Sequence, residues 1–178
     1  LENITGNYKV LEVINSGSCF ELPKATLSKI KEIIKEKKIE RLFLESHWAY
    51  KNRIQEMRDY FEIPITFKIG VETFDYDFRN GYLNKNAKFK TVEELKEYFD
   101  SPCIMVGIKG QTREMIDRDM DIVLNNFDHA TINVFVNNTS SVKRDEELVN
   151  WFSNKYKHLV DNPKIEILFN NTDFGVGD

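Results

Sequence analysis

No run in the 178 residues approaches the roughly 18 consecutive apolar residues that a spanning helix needs, and no basic stretch leads into an apolar one as in a secretory signal. A cytoplasmic protein with no membrane partner is expected. Cysteine is scarce: Cys19 and Cys103 lie far apart and form no CxxC pair, which excludes a disulfide framework and suits a reducing compartment. Cys103 stands in an apolar run and reads as buried and inert. The three histidines, His47, His129 and His158, fall on different elements with no second ligand at metal spacing, so no metal site is expected within the sequence. A GxSxG elbow, a P-loop and a GxGxxG dinucleotide turn are also missing. Charge of one sign is lacking too: 25 Lys and Arg face 29 Asp and Glu, interspersed along the chain. That argues against a broad nucleic-acid face, and no direct nucleic-acid partner is expected.

What is present is a regular alternation. Tyr8 to Ile14 reads as a strand running into the polar turn Asn15-Ser-Gly-Ser18. Pro23 opens a helix from Lys24 to Lys37, with Leu27, Ile30, Ile33 and Ile34 at three-and-four spacing and lysines and glutamates opposite. Arg41 to Leu44 is a short strand closing in Glu45-Ser-His-Trp48, and Tyr50 to Phe61 gives the next helix. Ile65 to Glu72 is a buried strand that delivers a carboxylate at its end. Asp75 or Asp77 then accepts the orphan N–H groups of a following helix that carries Phe74 and Phe78 on one face.

Thr91-Val-Glu-Glu94 is a capping box for a helix through Phe99, which Pro102 ends. Cys103 to Ile108 is a continuous apolar strand closing in Lys109-Gly-Gln-Thr112, and Thr112 caps the helix that follows. Thr131 to Val136 forms a fifth strand, Asp145 to Val160 a helix, and Ile165 to Phe169 a sixth strand. Single helices between short strands require parallel pairing by right-handed crossovers. The expected fold is therefore α/β, one domain over residues 1–178, as an open sheet or a barrel.

The carboxyl ends of parallel strands share one rim, so the polar residues there converge. They are Asn15, Ser16 and Ser18, then Glu45 and Ser46, then Glu72 and Thr73, then Lys109 and Gln111, then Asn137 and Asn138, then Asn170, Asn171 and Asp173. Turn chemistry accounts for serines and asparagines taken singly. Glu45 and Glu72 are harder to explain that way, because each ends an apolar strand where an unpaired carboxylate is costly.

Ile69-Gly-Val-Glu-Thr-Phe-Asp75, then Arg79 and Leu83-Asn-Lys85, resembles the fourth barrel strand and following helix of the radical S-adenosylmethionine (SAM) enzymes. Asn15-Ser-Gly-Ser18, Leu44-Glu-Ser46, and Gly107-Ile-Lys-Gly110 with Glu114 resemble other strand ends of that superfamily. The resemblance implies a partial parallel (β/α)6 barrel with SAM laid across the rim. By position it places Ser16 and Ser18 at the methionine moiety, Glu72 at the ribose, Ile108 and Gly110 at the adenine, and Glu45 and Ser46 at cofactor or substrate. The superfamily's CxxxCxxC loop, which holds a [4Fe–4S] cluster, is not in this sequence. Counting strands implies that it would precede Leu1 with the first βα unit.

The ending Phe169 to Asp178 and the segment Lys109 to Arg113 are similar to those of the queuine lyases of queuosine salvage. This similarity implies a lyase that cleaves SAM to a 5′-deoxyadenosyl radical and releases a 7-deazaguanine base from queuine. Asn138, Asn170, Asn171 and Asp173 would bind that purine-like substrate, with flavodoxin or ferredoxin as reductant. Two rivals stand beside it: a non-catalytic module binding an adenosyl or nucleobase ligand, and a cluster-free barrel enzyme using Glu45 and Glu72 as acid and base.

Overall fold

The computed structural model describes residues 8–15 and 17–170. Six strands form one sheet in sequence order: β1 (Val10–Val13), β2 (Arg41–Glu45), β3 (Ile65–Glu72), β4 (Ser101–Val106), β5 (Ala130–Val134) and β6 (Ile165–Leu168). Every neighbouring pair is parallel. Five helices lie between them: α1 (Lys24–Lys37), α2 (Ile54–Phe61), α3 (Val92–Lys96), α4 (Arg113–Asn126) and α5 (Glu146–Tyr156). Residues from all six strands line one cavity, so the sheet is curled into a partial barrel with β1 and β6 as its two edges.

Alternation along the strands separates two faces. Leu42, Leu44, Phe67, Ile69, Ile104, Ile132 and Val134 point outward and are buried with Ile30, Ile34, Phe61, Leu95, Ile116, Met120 and Phe152 of the helices. The other face carries Glu12, Glu45, Lys68, Cys103, Thr131 and Glu166 into the lumen. Among the described residues the helices therefore cover the convex side. Among the described residues no helix is long and apolar enough to cross a membrane.

Several boundaries differ from the sequence reading, each for a local reason. The segment after β3 makes no full helix: Asp75 does accept the Phe78 N–H at 2.9 Å, but the chain then forms a π turn over Phe78–Tyr82, where the Phe78 and Tyr82 rings stack. The helix expected from Tyr50 begins as a 3-10 stretch, Trp48–Arg53, capped by His47. Pro102 does not end a helix. It is the second residue of β4, opposite Ile69, and the helix before it stops at Lys96. Thr91 caps α3 through the Glu94 N–H, yet Glu94 reaches back to the Lys90 N–H, so the expected box is half made. A complete capping box lies instead at Ser18 and Glu21, before the turn Cys19–Glu21.

Candidate functional site

The site is built around the end of β3. Gly70 pairs with Cys103 and Glu72 with Ile104, which leaves Val71 as an extra residue in the ladder. Such a bulge re-aims the strand end. Glu72 then adopts φ +65°, a left-handed conformation that costs a non-glycine residue about 1 kcal/mol. Its carboxylate turns into the lumen and meets Lys85 Nζ at 2.5 Å. A Cβ at Gly70 would lie 2.7 Å from that ammonium and 3.0 Å from Glu72 Oε1, so the absent side chain makes room for the pair.

Lys85 is delivered by a loop tied down from inside. Arg79 is 1% exposed and donates to three backbone carbonyls, those of Thr73 (3.0 Å), Ala87 (2.9 Å) and Phe89 (2.6 Å). Its guanidinium also lies 3.7 Å from the Phe89 ring centroid. Asn84 and Asn86 on either side of Lys85 are left-handed, at φ 50° and 55°, a conformation asparagine tolerates better than most residues. His47 completes the anchor: its Nδ1 accepts the Ala49 N–H, so Nε2 carries the proton and donates to the Lys85 carbonyl at 2.9 Å.

The lumen has a volume of about 690 Å³, within the range typical of small-molecule sites. Among the described residues its wall carries five carboxylates, Glu12, Glu21, Glu45, Glu72 and Glu166, against two ammonium groups, Lys68 and Lys85. Lys68 bridges the lumen, 2.5 Å from Glu12 on β1 and 3.7 Å from Glu166 on β6, and Glu166 also accepts the Thr131 hydroxyl at 3.0 Å. Burial pushes the Glu45 carboxyl above the usual carboxylate range; Lys85 pulls it back and the charge on Glu72 adds to the rise. Burial works against charge on Lys85 as well, but Glu72 and Glu45 more than offset it. The Cys103 thiol, on the same wall, is pushed up by burial to about 12 and stays protonated.

No protein-family model matches the sequence, and no curated protein matches it. Among solved structures, a queuine lyase from Clostridium spiroforme bound to SAM and queuine superposes with a TM-score of 0.94 at 54% identity, over 99% of this chain and 77% of that one. The chain belongs to the queuine lyase family. It shares the radical SAM partial-barrel fold of that family, as the strand-end residues implied.

Within this queuine lyase fold the residues expected from sequence divide. Ser18, Glu45, Ser46 and Glu72 all border the lumen. Ser18 and Ser46 are each 1% exposed and share a hydrogen bond at 3.0 Å, which joins the ends of β1 and β2 beneath the mouth. Ile108 and Gly110 do not border it: Ile108 is fully buried in the loop after β4, and Gly110 lies against the Phe78 ring. Asn138 and Asn170 are exposed and also do not border it; Asn138 Oδ1 is occupied by the Ser140 N–H. Ser16, Asn171 and Asp173 lie outside the described residues.

Sequence reasoning gave no role to Glu12, His47, Lys68, Asn133 or Glu166, all of which line the lumen. A signal was present: Lys68 sits between Phe67 and Ile69, and Glu166 between Ile165 and Ile167, so each marks an inward-facing polar position in an apolar strand.

Proposed function

We propose that this chain works as a queuine lyase, binding SAM at the rim and queuine in the lumen and releasing a 7-deazaguanine base. The observation that carries this reading is the superposition over 99% of the chain, at 54% identity, on a queuine lyase that binds both molecules. The lumen supports it chemically. SAM carries a sulfonium and queuine a secondary amine, and a wall richer in carboxylates than in ammonium groups favours cations.

The residues present fit SAM. Glu72 stands at the rim, raised by a strained bulge, with two carboxylate oxygens of which Lys85 occupies one. It offers the second to the ribose hydroxyls, while the ion pair with Lys85 holds the carboxylate in place. Ser46, fixed by Ser18, borders the same mouth and supports the methionine end. Bound there, SAM would supply, on one-electron reduction by an external donor, the radical that removes a hydrogen atom from the substrate. The protein groups hold the reacting carbon beside it and keep water out.

A [4Fe–4S] cluster held by three closely spaced thiolates does not fit the residues of this sequence. It has two cysteines, both buried, and no group of metal-ligating side chains is found among the described residues. The two free thiols suit a reducing cytoplasm, where flavodoxin or ferredoxin would be the electron donor.

Titration of the full-length enzyme with SAM under anaerobic conditions tests the assignment of Glu72. Glu72→Gln is expected to weaken SAM binding by roughly tenfold or more, the value of a hydrogen bond to a charged group, and to cost about 1–3 kcal/mol of stability because the Lys85 ammonium loses its ion-pair partner. An unaltered dissociation constant would remove Glu72 from the cofactor site. Failure of the wild-type enzyme to consume queuine with SAM and a reductant would remove the function itself.

A further inference from the structure

Of the five lumen carboxylates, four are engaged. Glu12 and Glu166 face the Lys68 ammonium, Glu72 faces Lys85, and Glu21 accepts the Tyr50 hydroxyl at 2.9 Å and the Ser18 N–H at 3.2 Å. Glu45 is different. It accepts no hydrogen bond and makes no ion pair among the described residues, although it is only partly exposed and borders the cavity.

A carboxylate held away from bulk water without a donor is costly, and the cost is recovered when a ligand brings one. The surroundings indicate which kind. With Lys68 balanced by Glu12 and Lys85 by Glu72, the lumen keeps an excess of carboxylates, and Glu45 is the one among them without a donor. A neutral ring edge could donate hydrogen bonds to it but would not cancel its charge. An ammonium group does both.

Depth separates the two cationic ligands. Glu45 pairs in register with Lys68, four residues before Glu72 closes β3. It therefore stands below the rim where Glu72 meets the cofactor. We infer that Glu45 is the substrate-specificity residue of the lumen, accepting hydrogen bonds from the protonated secondary amine of queuine and selecting for cationic amine substrates. This rests on the queuine lyase reading. It moves Glu45 from the cofactor, where the superfamily resemblance allowed it, to the substrate. Gripping the amine also fixes the carbon–nitrogen bond to be cleaved relative to the rim.

Calorimetric titration of the full-length anaerobic enzyme, saturated with SAM, tests this with two ligands: queuine, and an analogue with methylene in place of the amine nitrogen. The wild type is expected to prefer queuine by roughly 10- to 100-fold, the worth of a charge-assisted hydrogen bond. Glu45→Gln should abolish the preference by weakening queuine alone, with the SAM dissociation constant unchanged within about twofold, while Glu45→Asp keeps part of the preference. Should Glu45→Gln fail to fold, the Asp variant and the wild-type comparison still decide. The inference is overturned if the wild type binds both ligands equally, if the Gln variant weakens both alike, or if SAM binding falls and queuine binding does not. A wild type that binds SAM but neither queuine nor its analogue overturns the function reading as well, which separates the two failures.

Discussion

Asp119, on α4 and 1% exposed, accepts the Phe74 N–H at 2.9 Å and so pins the chain just after β3. Burial raises its carboxyl from 3.8 to about 6, against the opposing pull of the Thr73 and Phe74 hydrogen bonds. A folded-state value above the unfolded one means that the folded state holds the proton more tightly. The stabilisation is then complete below about pH 4 and is lost as the pH rises through about 6. Asp119→Asn keeps an oxygen for the Phe74 N–H and cannot ionise. Urea unfolding between pH 4 and 7 should therefore show the wild type losing on the order of 2–3 kcal/mol relative to the Asn variant. Parallel pH curves for the two proteins would disprove the assignment. At this scale the sequence was legible where one residue ends an apolar run, as at Glu45 and Glu72. It was not legible at Asp119, whose meaning depends on a contact 45 positions away.

Among the elements, several with local signals were read correctly, although Pro102 and the Thr91–Glu94 box were not, and those shaped by distant contacts were missed. The bounds of α1, Lys24–Lys37, were read without error, because Pro23 opens it and its apolar spacing is regular. Thr112 caps α4 as expected, through Met115, whereas Asp145, read as the first residue of a helix, caps α5 through Glu147 and Leu148. The π turn after β3 escaped, since it exists to present Arg79 to carbonyls six to ten residues away. The brace across the lumen escaped for the same reason: Lys68 and Glu12 are separated by 56 positions. This brace joins β3 to both edges of the sheet. Lys68→Met would leave Glu12 and Glu166 facing each other without a cation. Breaking a buried pair costs about 3–5 kcal/mol, and the partial exposure of both glutamates lowers the expectation to about 1–3 kcal/mol. Chemical denaturation should show that loss, and adding Glu12→Gln should recover part of it. A single variant as stable as the wild type would mean that the brace contributes nothing.

For the molecule as a whole, six parallel strands with converging ends followed from alternation, while their sequential order in a partial barrel came with the superfamily resemblance. The lumen's interior did not follow, because inward positions are recognised only once the curl of the sheet decides which alternate residues face each other. That curl also determines how ligands should act on stability. Each inner strand is flanked by two neighbours, whereas β1 and β6 have one each among the described residues, and across the lumen they meet only through Lys68. Edge strands with few partners open more readily than central ones. A ligand filling the lumen touches Glu12 on β1 and Glu166 on β6 and adds contacts where the sheet has fewest. Saturation at about 100 times the dissociation constant stabilises the folded state by about 2.7 kcal/mol in total. Hydrogen exchange should then slow most in Val10–Val13 and Ile165–Leu168 when SAM and queuine are both present, and least in β3, which is already protected on both sides. Slowing confined to the outer helices, with the edge strands unchanged, would show that the ligands bind elsewhere than between the two edges of the barrel.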